Sequence, residues 1–108
     1  MAKLEMTLGY DFDSALSRIE EGILKGSASA SLEASSDFTD GRSRCSVRVF
    51  ERYSILGENR VSLSVTLFEG ANGTVNLSAI TSGGSQAVFF KLNTLGEEAF
   101  LDKLKELL

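Results

Sequence analysis

Histidine, tryptophan and proline are absent from this sequence of 108 residues, and cysteine occurs once. Without histidine, a serine–histidine–aspartate triad, an imidazole general base and a histidine metal site are all excluded. A single cysteine, Cys45, also excludes an internal disulfide and a zinc site built from several thiolates. Catalysis would have to use carboxylates, lysine, tyrosine and hydroxyl groups, and we expect neither a metal nor a cofactor.

The one cysteine is predicted to be structural. Cys45 alternates with Val47 and Val49 along a predicted strand, which indicates a small buried hydrophobic residue rather than a nucleophile. Such sparse use of cysteine is typical of a reducing compartment. The first residues contain no apolar run long enough for a signal peptide, and no segment approaches the length of a membrane span. We therefore expect a cytoplasmic protein that has no membrane partner.

Basic residues are outnumbered by acidic ones, 11 against 15, which gives a net charge of -4. Nucleic acids and anionic membranes select proteins with a positive field. The charge therefore argues against a nucleic-acid partner. The length and the hydrophobic content of 43% indicate one globular domain over residues 1–108, with a core that needs no disulfide or metal.

Hydrophobic periodicity predicts one strand and then a helix at the start of the chain. Residues 3–8 alternate in polarity as in a half-buried strand. Apolar residues then recur at helical spacing over residues 12–25, with Asp11 or Asp13 as the N-cap. A second helix is predicted to start with the capping box of residues 94–97.

Between the helices the alternation has period two, which is typical of strands. Small residues share one face at the start of this region, and they predict the close approach of a helix: Ala28, Ala30, Leu32 and Ala34. Turns are predicted at Asp40-Gly41, at residues 56–59 and at Asn72-Gly73, and the last strand at residues 88–92. The order β-α-β-β-β-β-β-α predicts an α+β fold, in which an antiparallel meander carries two helices on one face.

A glycine-rich segment within the predicted sheet is the first candidate site. It comprises Ser82, Gly83, Gly84, Ser85 and Gln86. Glycine pairs are common in hairpin turns because glycine tolerates positive φ. The alternative is a nest of backbone N–H groups around an anion, but no helix follows directly and the segment matches neither a P-loop nor a dinucleotide fingerprint. We interpret it as a turn, and retain as an alternative an enzyme using Ser82 and Ser85 with a carboxylate.

A row of arginines is the second candidate site. Arg44, Arg48 and Arg52 are predicted to lie on the face opposite Cys45, Val47 and Val49, and Phe50 lies within the row. Arginine interleaved with aromatic residues on an open sheet is typical of nucleic-acid platforms. The acidic composition instead favours a solvated face, on which acids of the neighbouring strands pair with the arginines: Glu33, Asp37 or Glu69.

The leading hypothesis is a small binding or interaction module. A small ligand or a partner protein would bind on the open sheet face, or between the sheet and the C-terminal helix. The same face is predicted to carry Phe50, Phe68 and Ile80, so a homodimer through a flat, serine-rich surface is a further alternative.

Several pieces of the sequence resemble a bacterial family of unknown function and of similar length. They are Asp11-Phe12, Gly26-Ser27, Asp37-Phe38 and above all SAITSGGSQAVFFKLNTLGEEAF, residues 78–100. The resemblance covers nearly the whole chain and implies no reaction, substrate or catalytic residue. The predicted element order also resembles the β-α-β4-α order of the TATA-binding-protein-like fold, with one strand more, and loosely the helix-grip fold, with one helix fewer. Such folds imply a curved sheet that grips a partner, but a fold does not determine a function.

Overall fold

A computed structural model of the protein describes residues 1–54, 59–83 and 90–108. Its elements in chain order are β1 Ala2–Leu8, α1 Phe12–Gly26, β2 Ser31–Asp40, β3 Ser43–Ser54, β4 Asn59–Glu69, β5 Val75–Gly83 and α2 Phe90–Leu107. The strands form one antiparallel sheet in the order β1-β5-β4-β3-β2. Both helices pack on the same face of the sheet, which confirms the predicted fold class. Neither helix, as far as it is described, is long and apolar enough to cross a membrane.

The first helix begins where the sequence predicts. Asp11 is the N-cap, and its carboxylate accepts a hydrogen bond from the backbone N–H of Ser14 at 3.4 Å. Hydrogen bonding from Ser14 lowers the pKa of Asp11 because it stabilises the charged carboxylate. The buried residues of α1 recur every three or four positions and form the stripe that faces the sheet: Phe12, Ala15, Ile19 and Ile23.

The second helix starts earlier than predicted. The expected last strand over residues 88–92 is wrong for residues 90–92, because α2 begins at Phe90. A short apolar run fits a strand and a buried helical turn equally well, so periodicity cannot separate them. Glu97 therefore lies inside the helix, where its buried carboxylate contacts the amino group of Met1 at 3.1 Å. The described elements thus follow the β-α-β4-α order, without the additional strand.

The core lies between the helices and one face of the sheet. It receives every second residue of the two central strands, as their alternation predicts. These residues are at most 2% exposed: Val61, Leu63, Val65 and Leu67 of β4, and Val75, Leu77 and Ala79 of β5. Burying each valine or leucine contributes about 1.5–3 kcal/mol to stability. The alternation of β4 and β5 therefore determines which face of the sheet is turned towards the helices.

Two predicted turns are confirmed by glycines with positive φ. Gly41 connects β2 to β3 with φ +60, and Gly73 lies between β4 and β5 with φ +86. An L-residue rarely adopts this backbone conformation, so both positions favour glycine. In the second turn, the backbone N–H of Thr74 also donates to the side chain of Asn72 at 3.0 Å.

The edge strand β2 differs from its prediction. Leu32 pairs with Phe50 on the side of the helices, whereas Ala34 pairs with Val49 on the opposite side, because a bulge falls between Leu32 and Ala34. One extra residue in a strand moves every later side chain of that strand to the other face of the sheet. Ala34 is exposed, as is Ala28 in front of the strand. The predicted close approach of a helix is therefore wrong for Ala28 and Ala34, whereas Ala30 packs against the core.

Candidate functional site

The sheet face opposite the helices is not covered by any described element, and we call it the open face. Directly paired residues lie on the same side of a sheet, so the pairing identifies its members. They are Ser31, Ala34, Ser36, Phe38 and Asp40 of β2; Ser43, Cys45, Val47, Val49, Glu51 and Tyr53 of β3; Arg60, Ser62, Ser64, Thr66 and Phe68 of β4; Asn76, Ser78, Ile80 and Ser82 of β5; and Lys3, Glu5 and Thr7 of β1. Serine and threonine are the commonest of these residues, and apolar side chains gather on β2, β3 and β4.

An apolar patch extends from one end of the open face to its middle. We define it by six residues: Phe38, Cys45, Val47, Val49, Phe68 and Ile80. Phe38 is 65% exposed, Phe68 46% and Ile80 40%, and the other three are half-buried. Serine and threonine side chains lie between and around them. An apolar centre with a polar rim is the composition found at protein interfaces.

The most exposed end of this patch is a row across three neighbouring strands. Cys45 of β3 pairs with Phe38 of β2 on one side and with Phe68 of β4 on the other. A groove of about 170 Å³ opens there, lined by Phe38, Thr39, Asp40, Ser43, Arg44, Cys45 and Phe68. The free thiol of Cys45 therefore faces outward between two phenyl rings. The predicted burial of Cys45 in the core is wrong, since it lies half-buried on the open face.

A polar pocket of about 200 Å³ lies at the other end of the open face, lined by Glu51, Arg60, Ser62, Ser82 and Gly83. The hydroxyl groups of Ser62 and Ser82 are 2.9 Å apart and bond to each other. Nε of Arg60 donates to the Glu51 carboxylate at 3.0 Å. In the part of the chain that the structure describes, Ser82 thus bonds a second serine rather than a carboxylate base.

Four of the charged residues on the open face form two neutral pairs. Lys3 contacts Glu5 at 2.9 Å, and Arg60 contacts Glu51 at 3.0 Å. Asp40, which pairs with Ser43 at the end of the face, adds one negative charge. Most of the net charge of -4 therefore lies outside this face.

The predicted arginine row lies on the other side of the sheet, so its placement on the open face is wrong. Phe50 is completely buried beneath the helices, and Arg48 is only 8% exposed. The aliphatic stems of arginines can cover apolar surface while their guanidinium groups reach polar partners. Arg48 contacts Glu20 at 2.6 Å and Asp37 at 3.0 Å, so its predicted pairing with Asp37 is confirmed. Desolvation lowers the pKa of Arg48, but the hydrogen bonds and charges of Glu20 and Asp37 together outweigh it, so the pKa is raised.

The other two arginines of the row also contact the helices. Arg44 pairs with Asp13 at 3.0 Å, and its guanidinium lies 4.1 Å from the centre of the Phe12 ring. The hydrogen bond to Asp13 raises the pKa of Arg44. Arg52 lies 4.6 Å from the centre of the Phe100 ring, and burial lowers its pKa. The row therefore attaches β3 to both helices.

The glycine-rich segment is described only in part. Ser82 and Gly83 end β5 and line the polar pocket. Gly84, Ser85 and Gln86 lie outside the described residues, and their proposed role stays a prediction. The structure thus brings two of these five residues together with Glu51 and Arg60, which were not predicted for the site.

The sequence holds a hint of the correct face of β3, but it can be used only once the parity of the connection to β4 is known. The predicted turn at 56–59 lies outside the described residues except for Asn59, which begins β4. Any connection with an even number of residues pairs even-numbered residues of β3 with odd-numbered residues of β4. Arg48 does pair with Val65, and Phe50 with Leu63. Since β4 alternates unambiguously, this parity assigns Phe50 to the core and Cys45 to the open face.

The chain belongs to a protein family described as a family of unknown function (DUF6054), whose family model matches residues 1–108. The resemblance seen in the sequence to a family of unknown function of about this length is thereby confirmed. No curated protein sequence and no solved structure is significantly similar to the chain.

Proposed function

We propose that this protein is an interaction module that binds a partner protein through its open face, with the apolar patch at the centre of the contact. The observation that carries the proposal is the row of Phe38, Cys45 and Phe68, which lie side by side on three strands and face outward. Contiguous apolar surface on a folded protein is typical of an interaction site. The opposite face cannot serve this purpose, because the helices and the arginine row already cover it.

A partner protein fits the geometry better than a small molecule. Pockets for small ligands usually have volumes of about 300–1,000 Å³. The groove beside Cys45 and the pocket beside Ser82 measure about 170 and 200 Å³. The face that joins them is broad and shallow, a shape that suits the surface of a second protein. The free thiol of Cys45 further supports a reducing, cytoplasmic location.

Sedimentation of extracts from producing cells tests this proposal. The wild-type protein should sediment as an assembly larger than the monomer, and Phe68→Lys should sediment as the monomer because a charge in an apolar interface is not compensated. Leu24→Lys is the matched control, since Leu24 is exposed to a similar degree, 39%, but lies on α1. A monomeric wild type, or an assembly that survives Phe68→Lys, would contradict the proposal.

A further inference from the structure

We infer that the partner on the open face is a second copy of this chain, so that two sheets pack face to face with the helices outside. The inference rests on the proposed function and names its partner. Sheets that pack in this way lie about 10 Å apart and interlock their side chains. A twofold axis would place the same patch on both sides of the contact, as in most homodimers.

The size of the open face matches that of a stable dimer. Five strands at a spacing of about 4.8 Å span about 24 Å. The nine residues of β5 extend over about 30 Å at about 3.3 Å per residue. Each copy thus offers about 700 Å², and the two together would bury about 1,400 Å², within the range of about 1,200–2,000 Å² for specific interfaces.

The charge distribution also favours a second copy. Like charges that face each other across an interface oppose association. On the open face Lys3 pairs with Glu5 and Arg60 pairs with Glu51, and Asp40 at the end of the face adds one negative charge. Most of the net charge of -4 is therefore carried elsewhere, and the remaining single charge lies at the end of the face.

Association through the edge strand β2 is disfavoured by the same reasoning. Among its ten residues, β2 carries Glu33, Asp37 and Asp40 and no basic residue. Two such strands placed side by side would bring acidic side chains together, and the bulge after Leu32 interrupts the ladder. Acidic residues and bulges are the usual protection of an edge against pairing. The open face therefore suits a second copy better than the β2 edge does.

The molar mass of the purified protein, measured by analytical ultracentrifugation over a wide range of concentration, tests this inference. The wild type should change from monomer to dimer as its concentration rises. Phe68→Lys should raise the dimer dissociation constant by about 100-fold, as expected when a charge replaces an aromatic side chain that the interface would bury. Phe38→Lys provides a second variant with little risk to folding, because Phe38 is 65% exposed. Leu24→Lys should dimerise like the wild type.

The single cysteine provides an independent readout. Cys45 lies within the apolar patch, so dimerisation should cover its thiol and slow its reaction with a small aromatic disulfide. The reaction rate per thiol should fall with rising protein concentration in the wild type and stay constant in Phe68→Lys. A purified protein that is monomeric at every concentration, with a constant thiol rate, would overturn the inference. In that case, loss of the assembly from extracts of Phe68→Lys would still support a protein partner on the open face, but a different protein. If the assembly survived Phe68→Lys, the homodimer and the proposed function would both be contradicted.

Discussion

Arg48 of β3 and Glu20 of α1 form an ion pair in which Nε of Arg48 donates to the Glu20 carboxylate at 2.6 Å. The same guanidinium contacts Asp37 of β2 at 3.0 Å and donates to the backbone carbonyl of Val47 at 3.0 Å. One arginine thus connects a helix and two strands. Because the whole residue is only 8% exposed, its guanidinium has lost much of its contact with water and depends on these partners.

We expect Glu20→Gln to destabilise the protein by about 1–2 kcal/mol, because it leaves the desolvated guanidinium of Arg48 with a weaker partner. Glu21→Gln is the matched control. Glu21 is exposed and reaches only Lys25, at 4.0 Å, so this variant should change the free energy of unfolding by less than about 0.5 kcal/mol. Urea denaturation compares them, and equal effects of the two variants would contradict the role assigned to Glu20.

The carboxylate of Asp37 should make the stability depend on acidic pH. A hydrogen bond from Ser46 at 2.6 Å, and then the contact with Arg48, lower the pKa of Asp37 from 3.8. A group whose pKa is lower in the folded state stabilises the fold above its unfolded pKa, and this contribution is lost as the pH falls through the folded pKa. Asp37→Asn should therefore be less stable than the wild type at about pH 6, and the difference should shrink towards about pH 3.

Urea denaturation at the two pH values measures this difference. Ser46→Ala removes the principal donor to Asp37 and should reduce the acid dependence without abolishing it, since Arg48 remains. A difference between wild type and Asp37→Asn that is the same at both pH values would show that the carboxylate charge is not involved.

Phe50 and Phe68 test the assignment of the two sheet faces. Phe50 is fully buried, so Phe50→Ala should cost about 3–5 kcal/mol. Phe68 is 46% exposed on the open face, and Phe68→Ala should cost less than about 1 kcal/mol in the monomer. Unfolding must be followed at low protein concentration, where a dimer is dissociated. If Phe68→Ala destabilised the monomer more than Phe50→Ala, the two faces would be exchanged and the arginine row would lie on the open face.

The close contact between Gly22 of α1 and Leu107 of α2 predicts an interaction between two substitutions. A Cβ atom at position 22 would overlap a methyl group of Leu107. Alanine in a helix is about 1 kcal/mol more favourable than glycine. Gly22→Ala should therefore stabilise the Leu107→Ala variant by about 0.5–1 kcal/mol and stabilise the wild type less, or destabilise it. A double-mutant cycle measures the difference, and strictly additive effects would contradict this packing.

The sequence by itself determined most of the elements and the fold class. The apolar stripe of α1 and the alternation of β4 each have one consistent period, and Asp11, Gly41 and Gly73 mark ends and turns through their local chemistry. Such signals depend on neighbouring residues only. The run at residues 88–92 was ambiguous for the same reason, because its few apolar residues suit a strand or a helix.

Only the tertiary structure decided which face of β3 is covered and which is open. One face carries Arg48 and Phe50, and the other carries Cys45, Val47 and Val49, so hydrophobicity favoured burial of the valines. The pairing of Phe50 with Leu63 reverses this, because a shift of one residue between strands exchanges the two faces completely. The helices then supply acidic and aromatic partners to the arginines, which allows a charged row to lie at the edge of the core. The open face is the side of the sheet that, in this register, carries no helix.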